Sequence, residues 1–324
     1  MYLIIIVVES LNIIGLFFVG ALFLYFGAEG LVRGTVSLAL RVGFKPLIAG
    51  VVFFTLGASS PELFVAFKTA SNSDFDLALG TIIGSVIMNI GFILGISAII
   101  KPLKLNAHLI KFYIFVLILI SILIIALLHD KELSRFDGII LLAVLGLYTF
   151  FLIKFSKDEQ REVVKEYIKK YSSLRKKNIL SIVFLIVSIV LLSLGSNFFI
   201  YSIKLIVKSF MIPDYIISLT LVALVCSLPE LVISIVSAIR NQGDISIGNV
   251  FSTSIFNLLF ILGLTSVLYP IQMINITNID LYVLMGMPVL FLPLARTGYY
   301  VNRFEGLLML VAYLIYVYYL FFLR

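Results

Sequence analysis

The chain lacks several residue types on which whole classes of proteins depend. Its 324 residues include one cysteine, Cys226, two histidines and no tryptophan. A single cysteine excludes an internal disulfide and any cysteine-cluster metal site. Only 13% of the residues are charged, about half the share in a soluble domain, which is too little polar surface to enclose so apolar a chain in water. A cytosolic enzyme and a nucleic-acid-binding protein are therefore excluded. No basic residue precedes Arg33, so we expect no secretory signal.

Apolar residues make up 62% of the chain and recur in long runs between short polar joints. Runs of about 20 apolar residues are long enough to cross a bilayer as helices. Isolated strands would leave their backbone groups unpaired in lipid. We therefore predict an all-α integral membrane protein with about ten transmembrane helices. The predicted spans are 3–31, 46–70, 77–100, 109–128, 137–155, 179–208, 215–239, 245–269, 280–295 and 304–323.

The distribution of basic residues predicts the orientation. With ten spans, the joints that follow odd-numbered spans share one side of the membrane, and 18 of the 24 Lys and Arg residues lie on that side. Because basic joints face the cytoplasm, we expect both termini to be extracellular, with the plasma membrane as the location. The polar segment 156–178 is then a cytoplasmic loop. It is either a solvated linker or a short amphipathic helix on the membrane surface.

The chain also repeats itself at a fixed offset of 168 residues. Each copy holds five predicted spans, and because five is odd, the two copies should lie upside down relative to each other. We predict a first repeat over 1–155, the loop 156–178, and a second, inverted repeat over 179–324. Inverted repeats form binding sites near the bilayer midplane, where broken helices meet. The matching residues are Gly27 and Gly195, Ser59 and Ser227, Pro61-Glu62-Leu63 and Pro229-Glu230-Leu231, Asp76 and Asp244, Gly80 and Gly248, Asn89 and Asn257, Gly95 and Gly263, and Pro102 and Pro270.

Two matching carboxylates, Glu62 and Glu230, lie in the middle of predicted spans. Each follows a proline, which should break its helix and free backbone carbonyls. An unneutralised carboxylate in hydrocarbon costs several kcal/mol and marks a functional site by default. Carboxylates and carbonyls are the oxygen ligands that a hard cation prefers. The alternative is a simple kink with each Glu paired to a basic side chain, but no Lys or Arg lies at matching depth in these spans.

A second pair of polar segments follows 27 residues after each glutamate. Asn89 and Asn257 match, and Ser85 and Thr253 stand four residues earlier, on the same helix face. These side chains can coordinate a cation, although each hydroxyl could instead bond back to a carbonyl of the preceding turn. The small pairs Gly80/Gly84 and Gly248/Ser252 should let helices approach closely around the site.

In these residues the sequence resembles the Ca2+/cation antiporter superfamily, which includes the sodium/calcium exchangers and their prokaryotic relatives. The likeness rests on two motifs, 57–95 and 225–263, each with a Ser-x-Pro-Glu core followed by Ser/Thr-x-x-x-Asn. The resemblance implies that Glu62 and Glu230 are the central Ca2+ ligands. It also implies that the first and sixth spans slide across a fixed core to alternate access. Further implied ligands are the carbonyls of Ala58 and Cys226, and Ser59, Ser227, Ser85, Thr253, Asn89 and Asn257 at Na+ or water sites.

One departure from the resemblance concerns the counter-ion. Relatives usually have Thr where this chain has Ala58 and Cys226, and that hydroxyl helps bind Na+. Its loss at both positions favours H+-coupled exchange of Ca2+ or Mn2+ as the alternative.

The resemblance and the residues together predict an antiporter, not an enzyme, that exchanges cytosolic Ca2+ for Na+ by alternating access. We expect no cofactor and no nucleic-acid partner; the partners are Ca2+, Na+ (or H+) and the lipid bilayer, with the monomer as the functional unit. A cation channel is a less favoured reading, because channels usually surround one pore with identical subunits. An intramembrane enzyme has no supporting group of residues.

Overall fold

The computed structural model describes residues 2–42, 54–104, 107–155, 178–296 and 300–324, and these are almost entirely helical. Residues 156–177 of the predicted loop 156–178 and the start of the second predicted span lie outside the described residues. The helices are α1 (Tyr2–Val42), α2 (Phe54–Ala58), α3 (Ser60–Ser71), α4 (Phe75–Ile100), α5 (Ala107–Leu127), α6 (Arg135–Phe155), α7 (Asn178–Phe210), α8 (Asp214–Cys226), α9 (Leu228–Ile239), α10 (Gly243–Leu268), α11 (Asn278–Arg296) and α12 (Arg303–Phe322). The strands are β1 (Leu103–Lys104), β2 (Glu132–Leu133), β3 (Ile271–Gln272) and β4 (Tyr300–Val301).

The described helices confirm an integral, multi-pass, all-α membrane protein. Within the described ranges, seven helices are long and apolar enough to cross a membrane, and the bent pair α8–α9 makes an eighth. α11 is a shorter apolar helix, and α2 and α3 form the described end of the second predicted span. The full count of ten stays a prediction.

Helix α1 differs most from its predicted bounds, because it continues to Val42 rather than ending near residue 31. The predicted span ended at residue 31, two residues before Arg33. In the structure Arg33 pairs with Glu29 one turn earlier. An ion pair at this spacing fits a helix surface, so the charge does not end the helix.

Helices α4 and α10 form the centre of the molecule. Buried residues make up 83% of the apolar window of α4 and 72% of that of α10, against 17% for α6 and 28% for α1 and α7. The outer helices expose large apolar side chains such as Phe18, Phe150 and Ile186. Lipid can cover such side chains, whereas water would not favour them. Of the seven candidate spans, α4 and α10, which carry part of the predicted site, are therefore the most enclosed, whereas α1, α6 and α7 are the most exposed.

The short strands connect the two halves of the chain crosswise. β1 pairs with β4 through Leu103 and Val301, and β2 pairs with β3 through Leu133 and Ile271. At the 168-residue offset, Leu103 corresponds to Ile271 and Val301 corresponds to Leu133, so the first pair matches the second. The two strand pairs are therefore related to each other by the same 168-residue offset as the sequence repeat.

Close glycine contacts recur in the same reciprocal way. A Cβ on Gly95 would lie 2.9 Å from the Gly306 carbonyl oxygen, and one on Gly138 would lie 2.6 Å from that of Gly263. The predicted close approach at Gly84 is confirmed, since a Cβ there would lie 2.7 Å from the Leu219 backbone. At the matching pair the prediction is wrong for Gly248, around which the structure leaves open space.

A polar network fixes the start of α4 against the second half. The Asp76 carboxylate accepts hydrogen bonds from Asn275 N at 2.9 Å and Asn275 Nδ2 at 2.6 Å. Arg324 donates to the buried Asp280 carboxylate at 2.9 Å and also to the Asn275 carbonyl. These bonds hold the loop before α11 against the α4 N-terminus and so fix the depth of the α4 polar residues.

Candidate cation-binding site

Both proline-containing segments break their helices at the same position. Ser59 (φ −81°, ψ 12°) separates α2 from α3, and Ser227 (φ −85°, ψ 14°) separates α8 from α9. α8 and α9 meet at a bend of 54°. Because proline has no N–H, the Gly57 carbonyl loses its helical partner and accepts the Ser60 hydroxyl at 2.6 Å instead. The break predicted from sequence is confirmed in both halves.

The breaks place Glu62 and Glu230 in the first turns of α3 and α9. Both side chains are completely buried. Unsatisfied N–H groups at a helix N-terminus carry partial positive charge and favour a nearby anion. Each carboxylate is therefore stabilised by the N-terminus of its own helix. Glu62 Oε2 and both carboxylate oxygens of Glu230 have no hydrogen-bond partner.

The two glutamates belong to one polar cluster. Ser227 Oγ donates to Glu62 Oε1 at 3.1 Å, which is a hydrogen bond between the two halves of the chain. Ser227 is the N-cap residue of α9, whose first turn carries Glu230. The Ser85 hydroxyl lies beside the Glu62 carboxylate without a hydrogen-bond partner. The bond from Ser227 thus places the Glu62 carboxylate at the start of the helix that carries Glu230.

Asn89 and Asn257 occupy equivalent irregular turns. Each begins a five-residue π-helical turn inside its long helix, at Asn89–Ile93 in α4 and Asn257–Ile261 in α10. Such turns are frequent at functional sites. The Asn89 turn packs against α9, which carries Glu230, and the Asn257 turn packs against α3, which carries Glu62. Each asparagine therefore lies beside the helix that carries the other half's carboxylate.

The hydroxyl-bearing residues of the predicted site are not equivalent in the two halves. Ser59 Oγ and Ser85 Oγ are buried without a hydrogen-bond partner. Thr253 Oγ1 lies 2.8 Å from the Asn249 carbonyl oxygen and donates to it. Thr253 therefore follows the alternative weighed from sequence, bonding back to the preceding turn, and offers only its lone pairs to an ion.

Ala58 and Cys226 end the helices on the N-terminal side of the breaks, and both are buried. Neither side chain carries a hydroxyl, and the Cys226 thiol is free. After each break the regular helical hydrogen bonds begin again. Leu63 N donates to the Ser59 carbonyl, and Leu231 N donates to the Ser227 carbonyl. Any contribution of these two positions to an ion must come from their backbone carbonyls.

Unpartnered polar atoms concentrate at this cluster. Among the described residues, fifteen buried side-chain nitrogen and oxygen atoms lack a hydrogen bond. One of them, Asp74 Oδ2, is ion-paired with Lys204, and nine belong to predicted site residues. Burying such atoms unpaired costs free energy that native proteins avoid. The ion pairs found in the described ranges involve Glu29, Asp74 and Asp280, not Glu62 or Glu230. These nine atoms belong to Ser59, Glu62, Ser85, Asn89, Glu230 and Asn257.

Sequence reasoning missed one polar group beside the cluster. Asn249 is buried, and its Nδ2 lies 3.5 Å from the Glu230 carbonyl oxygen and from Ser234 Oγ. The offset comparison searched for identities, and the residue matching Asn249 is Thr81. A search for polar residues three or four positions apart on one helix face would have found it.

Comparison with known proteins gives a consistent family. The family described as "Sodium/calcium exchanger protein" matches residues 12–154 and 180–322. The putative antiporter CaxA of Alkalimonas amylolytica is 29% identical over 94% of this chain and 97% of its own length. The sodium/calcium exchanger MaX1 of Methanosarcina acetivorans is 25% identical over 94% and 97%.

A solved structure of the sodium-calcium exchanger NCX_Mj, soaked with 10 mM Na+ and zero Ca2+, is similar with a TM-score of 0.64. It is 28% identical, over 95% of this chain and 98% of that chain. The residues matched by the family include both halves of the chain and both buried glutamates. The chain therefore belongs to the sodium/calcium exchanger family of membrane antiporters, which are transporters and not enzymes.

Proposed function

We propose that this protein exchanges cytosolic Ca2+ for Na+ by alternating access at one central site between Glu62 and Glu230. The observation that carries the proposal is the cluster of buried polar atoms, drawn from both halves, that lack hydrogen-bond partners around two carboxylates. Oxygen atoms left unpaired at such cost are explained if a cation supplies their missing partner. Family membership supports Ca2+ and Na+ as the transported ions.

Charge explains why such a site would exchange ions rather than leak them. Two carboxylates balance one Ca2+ or bind several Na+, and the ion-free site carries a buried negative charge. Moving an unneutralised charge through the membrane interior is costly. The loaded site reorients readily and the ion-free site does not, so each movement carries an ion. Around Glu62 and Glu230 the ligands are the carbonyls of Ala58 and Cys226, with Ser59, Ser227, Ser85, Thr253, Asn89 and Asn257 at Na+ or water positions.

The architecture proposed with this function has ten spans in two inverted halves, 1–155 and 179–324, joined by a cytoplasmic loop at 156–178. Both termini are extracellular, the membrane is the plasma membrane, and the monomer is the transporting unit. Reciprocal strand pairs and glycine contacts at the 168-residue offset support the two-fold relation. α1 and α7, which pack against each other, are the pair that slides across the core.

A second candidate is exchange of Ca2+ or Mn2+ for H+. It is favoured by one observation, that the buried positions Ala58 and Cys226 lack a hydroxyl. Two carboxylates can carry two protons as well as one Ca2+, so the charge balance permits either counter-ion.

The counter-ion can be identified in vesicles. We expect vesicles loaded with Na+ to take up labelled Ca2+ only while an outward Na+ gradient lasts. A control gradient of choline should drive no uptake. Uptake driven by a pH gradient without Na+ would support H+ coupling instead, and uptake that needs no counter-ion would contradict antiport altogether.

Restoring the two hydroxyls should strengthen Na+ binding. We expect Ala58→Thr combined with Cys226→Thr to lower the half-saturating Na+ concentration by up to about tenfold, the effect of roughly 1.4 kcal/mol from new oxygen contacts. Na+ dependence of Ca2+ exchange is the measurement. Cys226→Ala, which changes the side chain without adding a hydroxyl, is the matched control and should leave Na+ affinity unchanged. An unchanged Na+ dependence in the double variant would mean that these positions do not reach the ion.

A further inference from the structure

The two halves differ in one buried stripe next to the central site. Between α9 and α10 the second half has Ser234, Ser246 and Asn249, all buried. At the matching positions, the first half has Ala66, Ala78 and Thr81, also buried. The second half therefore has a polar stripe where the first half is nearly apolar.

The polar stripe leads away from Glu230 along one face of α9. Glu230, Ser234 and Ser237 stand at spacings of four and three residues, so their side chains share one face. The Ser237 carbonyl accepts a hydrogen bond from Gln242 N at 2.9 Å, which places this end of the face at the turn between α9 and α10. The stripe thus connects the central site with the turn at 240–242.

Helix α10 supplies the opposite side of the stripe. Ser246 and Asn249 are three residues apart and lie on the same face of α10. Asn249 Nδ2 reaches Ser234 Oγ and the Glu230 carbonyl oxygen only at 3.5 Å, the long limit of a hydrogen bond. Asn249 and the polar groups of α9 are therefore too far apart to form short hydrogen bonds with one another.

Two oxygens of the stripe have no partner at all. Ser246 Oγ and Asn249 Oδ1 have no hydrogen-bond partner. Water cannot easily reach them, because Ser246 is 0% and Asn249 is 5% exposed. The first-half counterpart Thr81 behaves differently, because its hydroxyl donates to the Leu77 carbonyl at 2.6 Å. Leaving buried acceptors unpaired is costly, so these oxygens point to a ligand that is not part of the protein.

The chemistry of the stripe selects the ligand. Ser234, Ser246 and Asn249 offer uncharged oxygen atoms as metal ligands. Ca2+ sites instead use carboxylates and six to eight oxygen ligands in total. A monovalent cation that keeps some of its water needs fewer and weaker ligands. Resting on the proposed Na+ exchange, we propose that Ser234, Ser246 and Asn249 form a second, weaker site for a partly hydrated Na+ between Glu230 and the turn at 240–242. This site is on one side of the central site only.

Cysteine labelling tests whether cations and water reach the stripe. Ser246→Cys is nearly isosteric, and Ser266→Cys is its matched control, because Ser266 is a buried serine of the same helix whose hydroxyl bonds back to Leu262. In proteoliposomes, 2-aminoethyl methanethiosulfonate should modify position 246 at least about tenfold faster than position 266. NaCl should slow that modification relative to choline chloride. Peptide mass spectrometry separates these positions from the native Cys226.

Transport kinetics give a second readout that a structural role would not produce. Ser246→Ala combined with Asn249→Thr gives α10 the hydrogen-bonding pattern of the first half. We expect the half-saturating Na+ concentration to rise about threefold to fivefold while that for Ca2+ stays within twofold. Equal changes for both ions would contradict a Na+ site.

The outcomes separate this inference from the proposed function. If the parent protein exchanges Ca2+ for Na+ but position 246 reacts no faster than position 266, or equally fast in NaCl and choline chloride, the second site is wrong and the exchange stands. If position 246 is reactive and protected by Na+ while the parent shows no Na+-driven Ca2+ uptake, the Na+ site stands and the proposed exchange is wrong.

Discussion

Replacing Glu62 or Glu230 by glutamine is expected to lower Na+-dependent Ca2+ exchange at least about a hundredfold. The substitution keeps the shape of the side chain and removes one of the two negative charges that balance Ca2+. With one carboxylate, a divalent cation in this buried site leaves an uncompensated charge, which costs several kcal/mol. Initial rates of labelled Ca2+ uptake by reconstituted vesicles measure the effect.

The stability of the same variants excludes a trivial explanation. Each glutamine removes a buried charge that lacks an ion-pair partner in the described structure, so thermal stability without ions should be unchanged or higher. Glu132→Gln is the matched control, because Glu132 lies on strand β2 at only partial burial, and it should transport normally. Near-normal exchange by Glu62→Gln or Glu230→Gln would remove these residues from the site.

Gly84→Ala is the second change expected to have a large effect. A Cβ at residue 84 would lie 2.7 Å from the Cα and the carbonyl oxygen of Leu219, which are backbone atoms of α8. Backbone atoms in a packed helix cannot move aside as a flexible side chain can, and overpacking costs about 1–3 kcal/mol or more. Gly84 immediately precedes Ser85 of the site. We expect exchange to be abolished and the apparent melting temperature to fall by about 5 °C.

Gly248→Ala supplies the comparison for this prediction. Gly248 lies in the equivalent helix α10, and a Cβ there would meet nothing within 4 Å. Alanine in an open helical position is about 0.5–1 kcal/mol more favourable than glycine, so this variant should be equally or slightly more stable. Similar behaviour of the two variants would mean that the contact between α4 and α8 does not set the stability of the site.

Sequence was sufficient to predict most of the framework and the centre of the site. Long apolar runs can satisfy their backbone in lipid only as helices, and eight of the ten predicted spans coincide closely with described helices. Pro61 and Pro229 predicted the breaks at Ser59 and Ser227, because proline removes a backbone donor whatever the tertiary context. The 168-residue offset pairs Glu62 with Glu230 in the sequence alone.

Features that depend on packing between distant segments could not be predicted in this way. The residues around Gly84 and Gly248 in the sequence do not reveal that a Cβ at Gly84 would contact the Leu219 backbone while a Cβ at Gly248 would contact nothing. The ion pair between Arg324 and Asp280 joins residues 44 positions apart, and the crosswise strand pairs join segments of only two residues. The polar stripe at Ser246 and Asn249 was missed because it breaks the symmetry that made the rest of the site visible.

The most direct test of the central claim is the position of a divalent cation in a crystal. Diffraction from crystals soaked with Sr2+, an anomalous scatterer that resembles Ca2+, locates such an ion without assumptions about transport. We expect one anomalous peak in contact with carboxylate oxygens of both Glu62 and Glu230, at about 2.3–2.6 Å as for Ca2+ ligands. A peak at one glutamate alone, a peak elsewhere, or separate ions at each carboxylate would contradict it.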